Sequence, residues 1–130
     1  MSWTFALNIT NATDRELIVV NPQLHWGDWN TDNEENKEPK NIPPKTTVQA
    51  VGVKAASGPN GYEFSCSWKD HAPKGQSSYG MLTLSIDVPY MGSNKATCKT
   101  TGDLRIDEWE DVPDDGHNFV RSIIISCSTT

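Results

Sequence analysis

Three histidines, His25, His71 and His117, each stand within three residues of an acidic or polar neighbour. A histidine within reach of a carboxylate is a usual start for general-base chemistry. The motifs that would complete such chemistry are missing. No G-x-S-x-G elbow presents a nucleophile, no H-E-x-x-H helix pairs two metal ligands, and no glycine-rich loop is spaced to cradle a phosphate. Residues 111–116 begin like a calcium loop, but Pro113 stands at its third position and Ser122 at its twelfth, where a bidentate glutamate is needed. Cys66, Cys98 and Cys127 are odd in number and lack C-x-x-C spacing, which argues against a disulfide framework and a structural zinc site. Cys66 lies in a strand pattern and Cys127 follows an apolar run, so buried thiols are expected. The reading is a non-enzyme with no catalytic residue, metal or cofactor.

The chemistry that remains is aromatic display. Trp26, Trp29, Trp68, Tyr90 and Trp109 lie in or beside expected loops, against a strand-embedded Trp3. Tryptophan and tyrosine suit a boundary between oil and water, because the ring is apolar while its N–H or O–H stays wet. The bland alternative is that such rings cap the core at an end of the fold. Trp26 and Trp29 flank Gly27 without clean alternation, which suits one ring inside and the other at the surface.

These rings need elements to hold them. In residues 81–95, Leu82, Leu84, Ile86 and Val88 share one parity against Thr83, Ser85 and Asp87, the pattern of a half-buried strand. Pro89 has no N–H for the ladder and ends it. The following turn, residues 90–95, puts Tyr90 and Met91 at a strand end. Trp3, Phe5, Leu7 and Ile9 alternate in a first strand, and residues 16–21 return after a turn, which reads as a hairpin closed by Pro22. Residues 30–45 are acidic early and proline-bearing late, a long loop of the kind that is usually functional or mobile. Strands are expected at residues 46–54, with Gly52 marking a bulge or close approach, and at residues 62–66, 95–100, 104–109 and 119–126. Asn8-Ile9-Thr10 and Asn11-Ala12-Thr13 both match the glycosylation sequon. About eight short strands, with no helical periodicity and no repeat, predict an all-β, single-domain β-sandwich over residues 1–130.

The chain has 130 residues and a formal charge of −6. That charge argues against nucleic acid and against electrostatic attraction to anionic lipid. Zwitterionic lipid, a cationic partner or a neutral ligand are left. No 18-residue apolar run is present to span a bilayer as a helix. The N-terminus lacks the basic and apolar segments of a secretory signal. The expectation is a chain that is secreted by another route, or cytoplasmic until release, and peripheral at a membrane when bound.

Residues 24–29, Leu-His-Trp-Gly-Asp-Trp, precede an acidic loop with Asp32, Glu34 and Glu35, and then Pro43-Pro44 before a strand. This resembles the early half of the aegerolysins, where a strand ending in W-G runs into a D/E-rich loop. The turn Val88-Pro89-Tyr90-Met91-Gly92-Ser93-Asn94-Lys95 is similar to that family's second hallmark, a C-P-W-G-S-K/N-type turn. It looks closest to the bacterial, insecticidal branch with its N-P-F-x-G-S-N-K. The two motifs stand in the family's order and separation, and Val88 and Tyr90 replace the cysteine and tryptophan of the fungal turn. The resemblance implies an aegerolysin-like β-sandwich that binds membrane lipid, typically sphingolipid with or without sterol. It also implies action beside a larger pore-forming partner, as half of a two-component cytolysin or insecticidal toxin. On the matching positions, Trp26, Trp29, Tyr90 and Met91 would face the membrane, and Asp28, Asp32 and Glu34 would contact head groups. Two other classes fit the same residues: a soluble carbohydrate-binding module using loop aromatics and acidic side chains, and a module that binds a protein partner without lytic activity.

Overall fold

Alternation of apolar and polar residues becomes strands wherever the sequence shows it. The computed structural model describes residues 3–128, and among them nine strands form: β1 (Thr4–Asn11), β2 (Leu17–Trp26), β3 (Asp28–Trp29), β4 (Thr46–Lys54), β5 (Tyr62–Asp70), β6 (Met81–Val88), β7 (Lys95–Thr100), β8 (Leu104–Asp107) and β9 (Phe119–Cys127). One sheet has the order β3-β4-β1-β9-β8 and the other β2-β5-β6-β7. The pairing of β1 with β9 is parallel, and the other named pairings are antiparallel. Phe5, Leu7 and Ile9 from one sheet and Phe64, Trp68, Leu84 and Ile86 from the other are fully buried between them. The expected all-β sandwich is what the chain forms.

Three local expectations are corrected. β1 and β2 make no hairpin, because they belong to different sheets. Asn11 turns the chain across: it is fully buried, and its Nδ2 donates to the carbonyls of Arg15 (2.8 Å) and Ile42 (3.0 Å). Its Oδ1 accepts from the Thr13 amide at 3.0 Å. The second sequon is thus spent on building a turn. Pro22 does not end β2, which is an edge strand and absorbs it in a register shift between Val20 and Gln23. Trp68 is no loop aromatic; it lies within β5, and its indole N–H donates to the Lys40 carbonyl at 3.1 Å.

Residues 30–45 are a strap along the side of the sandwich. Asn30 and Lys40 donate their amides to Gly52 and Ala50 on β4, at 2.7 and 3.0 Å, while Ile42 exchanges two backbone hydrogen bonds with Leu17 on β2. The strap therefore joins the edges of the two sheets. It lies so close to β4 that a Cβ at Gly52 would meet the Asn30 carbonyl oxygen at 2.6 Å, which gives that glycine its reason.

At the end of the sandwich where β5 gives way to β6, the polar groups are saturated. Arg15 Nη1 donates to Asp70 Oδ2 (2.9 Å) and to the Ser77 carbonyl (2.8 Å), and Nη2 donates to Gln76 Oε1 (2.7 Å). Asp70 Oδ1 accepts from Ser78 Oγ and from the Tyr79 and Gly80 amides. Burial alone would push the Asp70 carboxyl up, but the bonds from Ser78, Tyr79, Arg15 and Gly80 outweigh it and hold the group below the ordinary 3.8. A carboxyl so lowered stabilises the fold fully above its unfolded pKa, and the contribution is lost as pH falls through the folded value. Asp70→Ala leaves a buried guanidinium unpaired, and is expected to cost about 3–5 kcal/mol of unfolding free energy at neutral pH. Its stability should also fall less steeply than wild type below about pH 4. Urea denaturation across pH measures both, and a wild-type midpoint at pH 7 would contradict the assignment.

Candidate functional site

The opposite end is built differently. Here the start of β1, the ends of β2, β4 and β6, and the start of β5 meet the turns at residues 55–61 and 89–94 and the loop at residues 108–118. Tyr62, the first residue of β5, is the joint. Its ring is buried, and its hydroxyl lies 2.9 Å from the His117 carbonyl oxygen and 3.1 Å from that of Thr4, so its single proton serves both. Burial pushes the phenol's pKa strongly upward, only partly countered by the Arg121 charge, which keeps the group a neutral donor. Asn94 ties the 89–94 turn to the neighbouring loop, its Nδ2 donating to the carbonyls of Pro113 (3.2 Å) and Gly116 (2.9 Å).

Three large apolar side chains stand out from this pole: Met91 is 83% exposed, Trp26 65% and Tyr90 53%. Each was assigned to a membrane-facing set from the sequence. Trp29, the fourth member, is not among them. Gly27, at φ +100, reverses the chain after Trp26. β3 then pairs Asp28 and Trp29 with Lys54 and Val53, which aims the Trp29 ring edge-on at Phe64, with centroids 5.6 Å apart. One ring of this pair is outside and the other is half-buried against the core.

Two of the acidic residues expected at head groups, Asp32 and Glu34, are placed elsewhere. Asp32 sits midway along β4, where its amide donates to Gln49 Oε1 at 2.6 Å. Its carboxylate accepts from Lys37 Nζ (2.8 Å) and Lys40 Nζ (2.6 Å), and Lys37 also reaches Glu34 (2.7 Å). These lysine hydrogen bonds, Lys37 first, hold the Asp32 carboxyl below its usual range. Asp32 and Glu34 thus already have cationic partners within the strap. Asp28 is half-buried in β3, where it pairs with Lys54 at the end of β4, at the same pole as Trp26.

Two other carboxylates do reach the aromatic pole. Register places Trp26 opposite Glu63, Glu63 opposite Asp87, and Asp87 opposite Lys95, in one row across the outer face of the smaller sheet. Glu63 and Asp87 are half-buried, and neither makes an ion pair or side-chain hydrogen bond among the described residues. Like charges directly opposed on paired strands repel. They lie in a cleft of about 340 Å³ whose walls include Trp26, Gly61, Pro89 and Tyr90. Two carboxylates between a tryptophan and a tyrosine make an environment suited to a cation, which gains from both the charges and the ring faces. Tyr90 also walls a second hollow of about 300 Å³, shared with Trp3 and the 55–60 turn, and a third of about 240 Å³ beside Asn94, Asp114 and His117.

Sequence reasoning missed Glu63 and Asp87 because each reads alone as the wet residue of an alternating strand. Only strand pairing brings them together. The three histidines are scattered: His25 is on β2, His71 follows β5 at the other end, and His117 is in the 108–118 loop. No side-chain hydrogen bond joins any of them to a nucleophile or carboxylate among the described residues. No group of three or more His, Cys, Asp or Glu there could hold a metal ion. Cys66 is buried and Cys98 half-buried, both free, and burial pushes the Cys98 thiol up to about 12.

No protein-family model matches the chain, and no curated protein matches it in sequence. Its fold is found in solved structures. IP-1A from Alcaligenes faecalis superposes with a TM-score of 0.59 at 14% identity, over 97% of this chain and 93% of its own. RahU, solved in complex with a TRIS molecule, gives 0.59 at 12% identity over 96% and 95%. The lipid-binding protein Nakanori gives 0.55 at 10% identity over 96% of this chain and 70% of its own. At these identities the likeness is one of fold: this chain shares the β-sandwich of IP-1A, RahU and Nakanori.

Proposed function

We propose that this protein binds membrane lipid through its aromatic pole, taking a head group that carries an ammonium into the cleft between Trp26 and Tyr90. The observation that carries the reading is the combination of three exposed apolar side chains with two unpaired carboxylates at one end of the sandwich. Trp26, Tyr90 and Met91 would enter the interfacial layer, where ring and thioether find apolar surroundings and the polar tips stay wet. Glu63 and Asp87 would meet the ammonium, with the two ring faces adding cation–π attraction. A net charge of −6 gives anionic lipid no advantage, so binding is expected to vary little with salt beyond the local pair.

The aegerolysin-like motifs support a finer version, in which the lipid is a sphingolipid, with or without sterol, and a larger pore-forming partner acts once this chain has bound. The lipid-binding description of Nakanori, which shares the fold, agrees with the coarser reading. The protein would sit peripherally at the membrane and act by binding rather than by catalysis.

Vesicle co-sedimentation tests the proposal across phosphatidylcholine, the same with sphingomyelin, with sphingomyelin and sterol, with ceramide phosphoethanolamine, and phosphatidylglycerol alone. Pelleting is expected on a sphingolipid mixture and absent on phosphatidylglycerol. Glu63→Gln with Asp87→Asn should weaken it about tenfold. Tyr90→Ala and Trp26→Ala should each weaken it while shifting stability by no more than about 1.5 kcal/mol. Trp29→Ala, by contrast, should cost about 2–4 kcal/mol of stability because its ring packs inward. Equal binding by wild type and the Trp26 and Tyr90 variants would remove this surface. Failure on every vesicle, with a positive glycan array, would favour a carbohydrate-binding module instead.

A further inference from the structure

Tyr90 sits on a turn that barely holds it. Tyr90, Met91, Gly92 and Ser93 make no hydrogen bond to the rest of the described chain, and the anchored residue of this turn is Asn94. The ring is nevertheless not free. It stacks on Trp3, with centroids 5.7 Å apart and planes inclined by 14°. On Trp3 lies also the imidazole of His117, at 3.6 Å and 3°. Three rings from three separate segments therefore form one stack.

The other two members are fixed from behind. The Trp3 carbonyl accepts the Ala55 amide at 2.8 Å. The His117 carbonyl accepts the Tyr62 hydroxyl, and Asn118 Oδ1 accepts the Thr4 amide at 2.9 Å. Both positions are thus tied to the sheets, while the exposed ring depends on its stacked face. Offset or parallel stacking holds a ring at a defined angle without a covalent or hydrogen-bonded tether.

We infer that His117, acting through Trp3, is a positioning residue that sets the angle at which Tyr90 is presented at the pole. The inference rests on the lipid-binding reading for its consequence, though the ring stack itself does not. His117 touches no ligand in this scheme; its flat face is what matters, so a planar apolar ring should replace it. In the row Tyr90–Trp3–His117, loss of the last ring lets the indole tilt, and the tyrosine follows. Its wall then moves for all three hollows that it lines.

The test uses the full chain with His117→Ala and His117→Phe. By NMR, the His117 ring protons should be shifted upfield by the indole in wild type, and released in Trp3→Leu. The Tyr90 ring resonances should move in His117→Ala and return towards wild type in His117→Phe. Co-sedimentation on sphingomyelin vesicles should weaken about two- to tenfold in His117→Ala, the range of an aromatic pair, and recover to within about twofold in His117→Phe. Unmoved Tyr90 resonances in His117→Ala would overturn the inference, as would a His117→Phe protein no better than His117→Ala. Should wild type bind no vesicle, the lipid reading falls, while the Tyr90 resonances still decide whether His117 positions that ring.

Discussion

A single phenol proton joins the two halves of this sandwich at its aromatic end. Tyr62 belongs to the smaller sheet, and the carbonyl oxygens that share its hydroxyl belong to β1 and to the loop before β9 in the larger one. Packing between sheets is non-directional and tolerates sliding. A buried hydroxyl between two carbonyls does not, since a lost partner leaves a desolvated polar group unsatisfied. Tyr62 thereby sets where β1 begins relative to the 108–118 loop, and so where Trp3 and His117 meet. The same residue forms part of the wall of the Trp26–Tyr90 cleft. Sheet registration and site geometry are one fact.

The two ends of the molecule solve opposite problems. Around Arg15 and Asp70 each charge is met within the chain and the guanidinium lies 3.7 Å above the Tyr79 ring. Around Trp26 and Tyr90 apolar surface faces water and two carboxylates oppose each other, neither in an ion pair among the described residues although Lys95 stands opposite Asp87. Exposed single hydrophobic residues are ordinary on protein surfaces. Several of them rimming a cleft with unpaired charge are the feature on which the proposed lipid binding rests. Between the ends, the strap at residues 30–45 consumes the acidic loop: the lysines at 37 and 40 neutralise Asp32, and the strap's backbone closes the side of the sandwich.

Much of this was legible in the chain. Alternation in residues 81–88 placed that strand, residues 119–126 form the expected final strand as part of β9, and Tyr90 and Met91 are exposed where a proline ends a ladder. Trp26 and Trp29 illustrate the limit. Their types and spacing were equal, and the direction of each ring was decided by a positive-φ glycine and by two residues of pairing to β4. Trp68 shows a second limit, since a ring near an expected loop can belong to the next turn of a strand that runs longer. Asp32 and Glu34 looked available because their lysine partners lay a few residues downstream in the same loop. Glu63 and Asp87 are 24 positions apart (87 minus 63), and no local pattern announces that β5 and β6 set them face to face. The ring stack of Trp3, Tyr90 and His117 is likewise a product of topology.

The most direct measurement of the central claim is tryptophan quenching by sphingomyelin vesicles doped with phosphatidylcholine brominated in its acyl chains, comparing wild type with Trp26→Phe. Trp68 is buried, Trp3, Trp29 and Trp109 are half-buried and packed against the core, and Trp26 alone of the five is exposed, so Trp26 is the ring best placed to enter lipid. The account predicts quenching in wild type that is largely lost in Trp26→Phe. Equal quenching in the two proteins, or bound protein whose fluorescence the bromines leave untouched, would contradict it.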